Sequence, residues 1–315
     1  MNEVLQKIYE IGIVPVIALD DAEKAVPLAK ALVKGGLPAA EVTFRTAAAE
    51  EAIKRIVAEV PEMLVGAGTV LTKDQADRAI AAGVQFIVSP GFNPEITKYV
   101  MSKGMLMVPG TASPGEMEQA MSLGLDVVKF FPAEQNGGVA KLKALAGPYT
   151  NLRWMPTGGV NAKNLNDYLS FKKIVACGGT WMVKKDLIEA EQWDEIEALT
   201  REAVQTMLGF EVKHVGINCE NEAEALKAAQ LFAAMFGFDY AAGNSSIFAG
   251  NKSIEIMKSQ GRGKYGHIAI GTNTLPRAIA YFKNKGIAFA EETVTDKAAY
   301  FADEIAGFAI HLVQK

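Results

Sequence analysis

Cysteine and histidine are scarce in this chain of 315 residues, and neither sign of charge is concentrated anywhere along it. The two cysteines, Cys177 and Cys219, are far apart and lack metal-type spacing, so a disulfide scaffold is excluded and reduced thiols in a cytoplasmic protein are expected. The net charge is only −4 and no block of like charges occurs. Nucleic acid and anionic membranes, which need a basic face, are therefore not expected as partners. No apolar run approaches the roughly 18 residues of a membrane span. The opening MNEVLQKIYE lacks the basic start and apolar stretch of a signal peptide and reads as an amphipathic helix. What remains, half apolar and 22% charged, is an ordinary globular composition long enough for a large domain and a smaller one.

From residue 13 to about 180 one unit recurs: a short apolar run ending in Gly, Pro or Thr, then an Ala-rich amphipathic stretch. The strand candidates are IVPVIAL (13–19), AAEVTF (39–44), LVGAGTV (64–70), QFIVSP (85–90), MLMVPG (105–110), DVVKFF (126–131), LRWMPTG (152–158) and IVACGG (174–179). Eight strand–helix units in a row predict a (β/α)8 TIM barrel, with a doubly wound open sheet as the alternative. A final helix is expected over 186–209. The pattern then changes, and two similar halves begin at HVGINC (214–219) and HIAIGT (267–272), each followed by a helix and strands. The expected domains are 1–210, a TIM barrel, and 211–315, a smaller α+β domain of paired βαβββ modules.

Alternation along a barrel strand sends one parity to the lumen. In the second strand Val42 and Phe44 belong against helices, so Glu41, Thr43 and Arg45 point inward. In the sixth, Lys129 faces the lumen with Val127 and Phe131. Charges aimed into an apolar lumen are expensive unless they compensate one another, as in a structural ion-pair network. Their place near the carboxyl ends of the strands, where barrel enzymes build their sites, favours a functional set. A neutral lysine amine attacks a ketone to form an imine, and a nearby cation such as Arg45 lowers its pKa toward working pH. Glu41 can carry the proton, and Arg45 with Thr69 can fix an α-keto carboxylate. Paired glycines in PTGG (156–159) and CGGTW (177–181) follow strands seven and eight, where barrels cradle phosphate on backbone N–H groups.

The stretches VPVIAL (14–19), EVTFRT (41–46), VGAGTVL (65–71), FIVSPG (86–91), KFFPAEQNGG (129–138), PTGGV (156–160) and GGTW (178–181) resemble the 2-keto-3-deoxy-6-phosphogluconate and 4-hydroxy-2-oxoglutarate aldolases over residues 1 to about 208. The resemblance implies Lys129 as the Schiff-base residue and Glu41 as the proton carrier. It implies Arg45 and Thr69 on the carboxylate, Pro90 and Phe131 as lining, and Thr157, Gly158, Gly159, Gly179 and Thr180 around the phosphate. It further implies keto-acid and phosphosugar-acid substrates, no cofactor for the aldolase, and a homo-oligomer, a trimer. Two departures stand out: Thr180 replaces the usual serine of GGSW, and PGTASPGE (109–116) lacks the usual threonine–proline–serine order. Another phosphate-binding barrel enzyme, an isomerase or a thiamine-phosphate-synthase-like protein, is the competing reading. Such an enzyme would not require the lumen lysine with its Glu41–Arg45 set.

All three histidines lie after residue 213. His214 and His267 open the two halves, while Glu255 and His311 occupy matching places in IEIM and IHLV. This pattern resembles the glyoxalase, or vicinal-oxygen-chelate, superfamily, whose metal ligands come from those four places. His311 stands where that superfamily usually has glutamate. Zinc, nickel or iron suits such a set. A metal enzyme acting on a reactive carbonyl, a small-molecule binding module and an oligomerisation element are the three readings for this domain.

Overall fold

Each short apolar run of the first 180 residues becomes a parallel strand in the computed structural model, which describes residues 2–315. The strands are β1 (Ile13–Ile17), β2 (Ala39–Thr43), β3 (Leu64–Gly68), β4 (Phe86–Val88), β5 (Leu106–Val108), β6 (Gly110–Thr111), β7 (Val127–Phe130), β8 (Arg153–Pro156) and β9 (Cys177–Gly179). They pair in the orders β5-β4-β3-β2-β1-β9 and β6-β7-β8. Parallel bridges Trp154↔Ile174 and Thr157↔Gly178 join the β8 edge to the stretch that forms β9, so the sheet curls into a TIM-barrel-like ring. β1, β2 and β3 are covered on both faces, so every one of their residues is buried, the polar Glu41 and Thr43 of β2 included. Three of the crossover helices, Lys73–Ala81, Pro94–Ser102 and Pro114–Ser122, begin at side-chain caps, the last with a full capping box of Ser113 and Glu116.

The helix Glu3–Ile11, capped by Asn2, closes the amino-terminal end of the ring. Its Leu5 and Ile8 join Val14, Ala39, Leu64, Phe86, Val127 and Met155 in one buried cluster. The lumen is thus filled from below, and polar side chains are confined to its carboxyl end.

Three expectations need correction. Strand five is split into β5 and β6, because Pro109 has no N–H for the ladder and contributes only its carbonyl, which accepts from Lys129 N at 2.9 Å. The eighth strand is only Cys177–Gly179, with Ile174 held by a single bridge. The final helix is two helices, Lys185–Glu189 and Trp193–Leu208, interrupted where Glu191 takes φ 56°.

The chain divides into two compact units, with Leu208 the first residue of the second. The reason is local: Leu208 O accepts from Asn273 N at 2.8 Å and Thr272 Oγ1 at 2.8 Å, which ties it to the second unit. That unit contains β10 (Glu211–Asn218), the helix Glu222–Phe236, β11 (Tyr240–Ala242), β12 (Ser246–Ala249) and β13 (Ile254–Met257). β14 (Gly266–Thr272), the helix Leu275–Asn284, β15 (Ala298–Ile305) and β16 (Phe308–Gln314) follow. Its sheet runs β11-β12-β13-β10-β14-β16-β15. β10 and β14 are antiparallel at the centre, and each has a parallel neighbour, β13 and β16.

The first half is therefore βαβββ, but the second lacks one strand. In its place Phe289 makes one isolated bridge to Phe301, stacks on that ring at 4.7 Å and meets Phe282. A 3-10 turn, Glu291–Thr293, follows, so aromatic packing replaces a ladder there. Helix Glu222–Phe236 buries Ala225 and Ala229 against Ile247 and Ile256. Alternation then sends Ser246, Glu255 and His214 to the opposite face. Among the described residues no helix is long and apolar enough to cross a membrane.

Ile8 is fully buried in the cluster that closes the barrel. Ile8→Ala should lower the unfolding free energy by about 3 kcal/mol, read as a reduced denaturant midpoint at unchanged slope.

Candidate active site

Lys129 reaches its position because Pro109 O binds its N–H from one neighbouring strand, while β8 places Met155 beside it on the other. Its side chain is buried, and Nζ lies 3.1 Å from Oε1 and 3.4 Å from Oε2 of Glu41. Glu41, 1% exposed, sits in register between Val16 of β1 and Gly66 of β3. Gly68 makes room for it, since a Cβ there would lie 2.3 Å from Glu41 Oε1. The Phe131 ring flanks the amine with its centroid 5.3 Å from Nζ.

The charge touching Lys129 is therefore the carboxylate of Glu41, whereas the sequence points to Arg45 as the neighbouring cation. Arg45 lies just past β2, where its Nε donates to Thr43 Oγ1 at 3.0 Å. Thr43 in turn donates to Ile17 O at 2.8 Å, and is fully buried. Among the described residues Arg45 has no carboxylate partner, which leaves the rest of its guanidinium fork free. Thr69 adopts φ 55°, a left-handed conformation that strains a β-branched residue by about 1–3 kcal/mol.

All eleven barrel residues singled out in the sequence line one cavity of about 270 Å³: Glu41, Arg45, Thr69, Pro90, Lys129, Phe131, Thr157, Gly158, Gly159, Gly179 and Thr180. Val16, Thr43 and Val160 line it too. Sequence parity had turned Thr43 inward without a role, and its position two residues before Arg45 was the available signal. Gly158 and Gly159 have φ 98° and 80°, conformations that exclude a Cβ at little strain. Within the described residues the amides of Gly158, Gly159 and Val160 donate to nothing. Thr157 Oγ1 is likewise buried without a partner. Unpaired donors clustered on a cavity wall are suited to an anion.

In the second unit β10 places His214 beside Ala269 of β14 and, across it, His311 of β16. One register step away Glu255, Gly216 and His267 form a second row. Gly216 is small of necessity, since a Cβ there would lie 2.1–2.5 Å from the His267 ring. His214 Nε2 is 3.1 Å from His267 Nε2, and Glu255 Oε2 is 3.1 and 3.2 Å from the two. Ser246 Oγ donates to Glu255 Oε1 at 2.7 Å, a contact the sequence did not reveal because no periodicity marks that serine.

Burial pushes the Glu255 carboxyl up, but hydrogen bonds from His214, His267 and Ser246 hold it well below the usual carboxylate range. His311, 7% exposed, has no partner on either ring nitrogen among the described residues. Burial first, and the neighbouring His267 and His214 imidazoles second, lower its pKa to about 4, so it is neutral near pH 7. Tyr300 stacks on it at 4.4 Å. One ligand atom from each of the three histidines falls within a 4.8 Å group. Donor atoms about 3.3 Å apart are what a shared ion with bonds of 2.0–2.1 Å requires in tetrahedral geometry, so the residues present fit a divalent metal.

Comparison with known proteins places the first unit. The family model for KDPG and KHG aldolase matches residues 4–199. A 2-dehydro-3-deoxy-phosphogluconate aldolase from Haemophilus influenzae is 48% identical over 203 residues, 64% of this chain and 96% of its own length. A KHG/KDPG aldolase from Escherichia coli is 46% identical over 193 residues, 61% of this chain and 91% of that protein. Among solved structures, the KDPG aldolase of Legionella pneumophila superposes with TM-score 0.61 at 35% identity, covering 63% of this chain and 97% of that one. That crystal holds pyruvate as a covalent carbinolamine. The Zymomonas mobilis enzyme, with 3-phosphoglycerate, gives TM-score 0.59 at 39% identity, covering 63% and 94%.

Gly68→Ala forces the Glu41 carboxylate away from Lys129, so it should lower the unfolding free energy by about 2 kcal/mol. In a Glu41→Ala background the same substitution should cost about 1 kcal/mol less. Equal losses in both backgrounds, measured by denaturant melts, would show that Gly68 does not shape the pair.

Proposed function

Since the chain belongs to the KDPG and KHG aldolase family, and its first unit is accordingly a lyase, we propose that this unit cleaves 2-keto-3-deoxy-6-phosphogluconate through an imine on Lys129. The observation that carries the proposal is the buried Lys129–Glu41 pair in a cavity that also holds a free guanidinium and unpaired amides. Moving one proton across 3.1 Å turns the pair into a neutral amine and a neutral acid. The amine adds to the C2 ketone, and loss of water leaves a protonated imine. Glu41, again a carboxylate, takes the proton of the C4 hydroxyl as the C3–C4 bond breaks and its electrons flow into the imine. Glyceraldehyde 3-phosphate leaves, C3 of the enamine is protonated, and water releases pyruvate and restores Lys129.

Arg45, steadied by Thr43, holds the substrate carboxylate with Thr69. The strain at Thr69 is consistent with a residue held for binding. The amides of Gly158, Gly159 and Val160, with Thr157 and Thr180, receive the phosphate. Cleavage of 4-hydroxy-2-oxoglutarate to pyruvate and glyoxylate uses the same lysine, acid and arginine and leaves the phosphate loop empty.

A second function is proposed for residues 208–315: a metal-dependent site of the glyoxalase-like kind. His214, Glu255, His267 and His311 would hold the ion, and the unpartnered His311 ring is the observation that favours it. A divalent ion such as zinc, nickel or iron would hold and polarise a carbonyl or hydroxyl oxygen. Ser246 orients the Glu255 carboxylate, and Gly216 lets His267 lie flat enough to reach it.

Borohydride reduction in the presence of pyruvate should attach one pyruvyl unit at Lys129, read by peptide mass. Lys129→Ala should lose that adduct and at least about a thousandfold in cleavage rate. If the variant still traps and turns over, the imine is elsewhere. For the second unit, tag-free protein should carry about one equivalent of divalent metal by elemental analysis, and His311→Ala should lose most of it. Metal-free wild-type protein after equilibration with excess zinc would leave a binding or assembly role for this domain instead.

A further inference from the structure

The loop that follows β7 and the glycine loop that follows β8 are joined backbone to backbone. Ala133 N donates to Thr157 O at 2.7 Å and Glu134 N to Gly158 O at 3.1 Å. The stem of Glu134 then lies on Gly159, where an added Cβ would fall 2.5 Å from Glu134 Cγ. This puts a carboxylate directly behind the loop whose three free amides form the anion cradle. Glu134 does not line the cavity, and the one carboxylate that does, Glu41, is engaged with Lys129. Glu134 is thus an anion of the chain itself whose stem lies against the loop that carries these donors.

One contact holds it back. The hydroxyl of Tyr168, on the helix Leu165–Leu169 that follows the glycine loop, donates to Glu134 Oε1. Among the described residues this is the polar partner of that carboxylate, which has no salt bridge. The Tyr168 ring is 1% exposed and cannot follow the carboxylate outward. Burial first, and the bond to Glu134 second, hold the phenol above its ordinary pKa, so it remains a donor. The loop on the other side is already fixed, because Asn161 and Asn164 both donate to Gly159 O, at 3.0 and 3.1 Å.

We infer that Tyr168 is a specificity-determining positioning residue: by tethering Glu134 behind the glycine loop it keeps the cradle of Gly158, Gly159 and Val160 open to a substrate phosphate. The inference rests on the proposed role of that loop and deepens it. It predicts discrimination between phosphorylated and unphosphorylated 2-oxo acids, since only the former need the cradle. A carboxylate released into the cradle would satisfy its amides internally and exclude the phosphate by like-charge repulsion.

The test uses the full chain and three proteins: wild type, Tyr168→Phe, and Tyr168→Phe with Glu134→Gln. Tyr168→Phe should raise KM for 2-keto-3-deoxy-6-phosphogluconate about tenfold and weaken competitive inhibition by inorganic phosphate to a similar degree. Cleavage of 4-hydroxy-2-oxoglutarate should change by less than about twofold. Adding Glu134→Gln removes the competing charge, so KM and phosphate inhibition should return toward wild type. An equal loss on both substrates, or no rescue by Glu134→Gln, would mean that Tyr168 only supports the fold. Titration calorimetry with inorganic phosphate on the same proteins decides the question independently of turnover. An inactive wild type would therefore defeat the aldolase reading, whereas equal phosphate affinities in the three proteins would defeat this one.

Discussion

The architecture of the first unit is organised around a lysine and a glutamate buried 3.1 Å apart in an otherwise apolar lumen. Removing one member of such a pair leaves an uncompensated charge and costs about 3–5 kcal/mol, so each side chain depends on the other for its compensation. The closed ring is what brings them together, because they belong to strands 88 residues apart in the chain. Below them the lumen is sealed by Leu5 and Ile8, which leaves access only from the carboxyl ends of the strands. A pair that is protected from water yet open on one side is well placed to exchange a proton with a small molecule.

The surroundings follow from that constraint. Gly68 is glycine because the glutamate occupies the space of its side chain, and the break at Pro109 leaves a carbonyl to fix the lysine backbone. Arg45 is exposed and, among the described residues, paired with no acid, so its bond to Thr43 orients it without neutralising it. The glycine loop offers donors without acceptors. One cavity therefore combines a charge-compensated buried pair with two uncompensated electropositive features, a polarity that suits an anionic small molecule.

The second unit solves a similar problem by a different route. Its central antiparallel pair, flanked by parallel neighbours, brings four polar side chains from four strands to one face, and small residues between them let the rings approach. Three of the four satisfy one another. The fourth, His311, is buried and neutral, and among the described residues neither ring nitrogen has a partner.

Parity and strand-end position in the sequence sufficed to turn Glu41, Thr43 and Lys129 inward, since period-two alternation and eight repeated units leave a barrel little choice. The motif glycines and the four places of His214, Glu255, His267 and His311 were legible for the same reason: each falls at a repeated offset from a strand. What touches Lys129 was not legible. Arg45 and Glu41 share a parity, and only the end of β2 at Thr43 and the curvature of the ring decide that the glutamate meets the amine while the arginine stands free. The tether between Tyr168 and Glu134 and the missing strand of the second half were invisible for a related reason. Each depends on a contact between segments distant in sequence, made by residues whose own periodicity carries no signal.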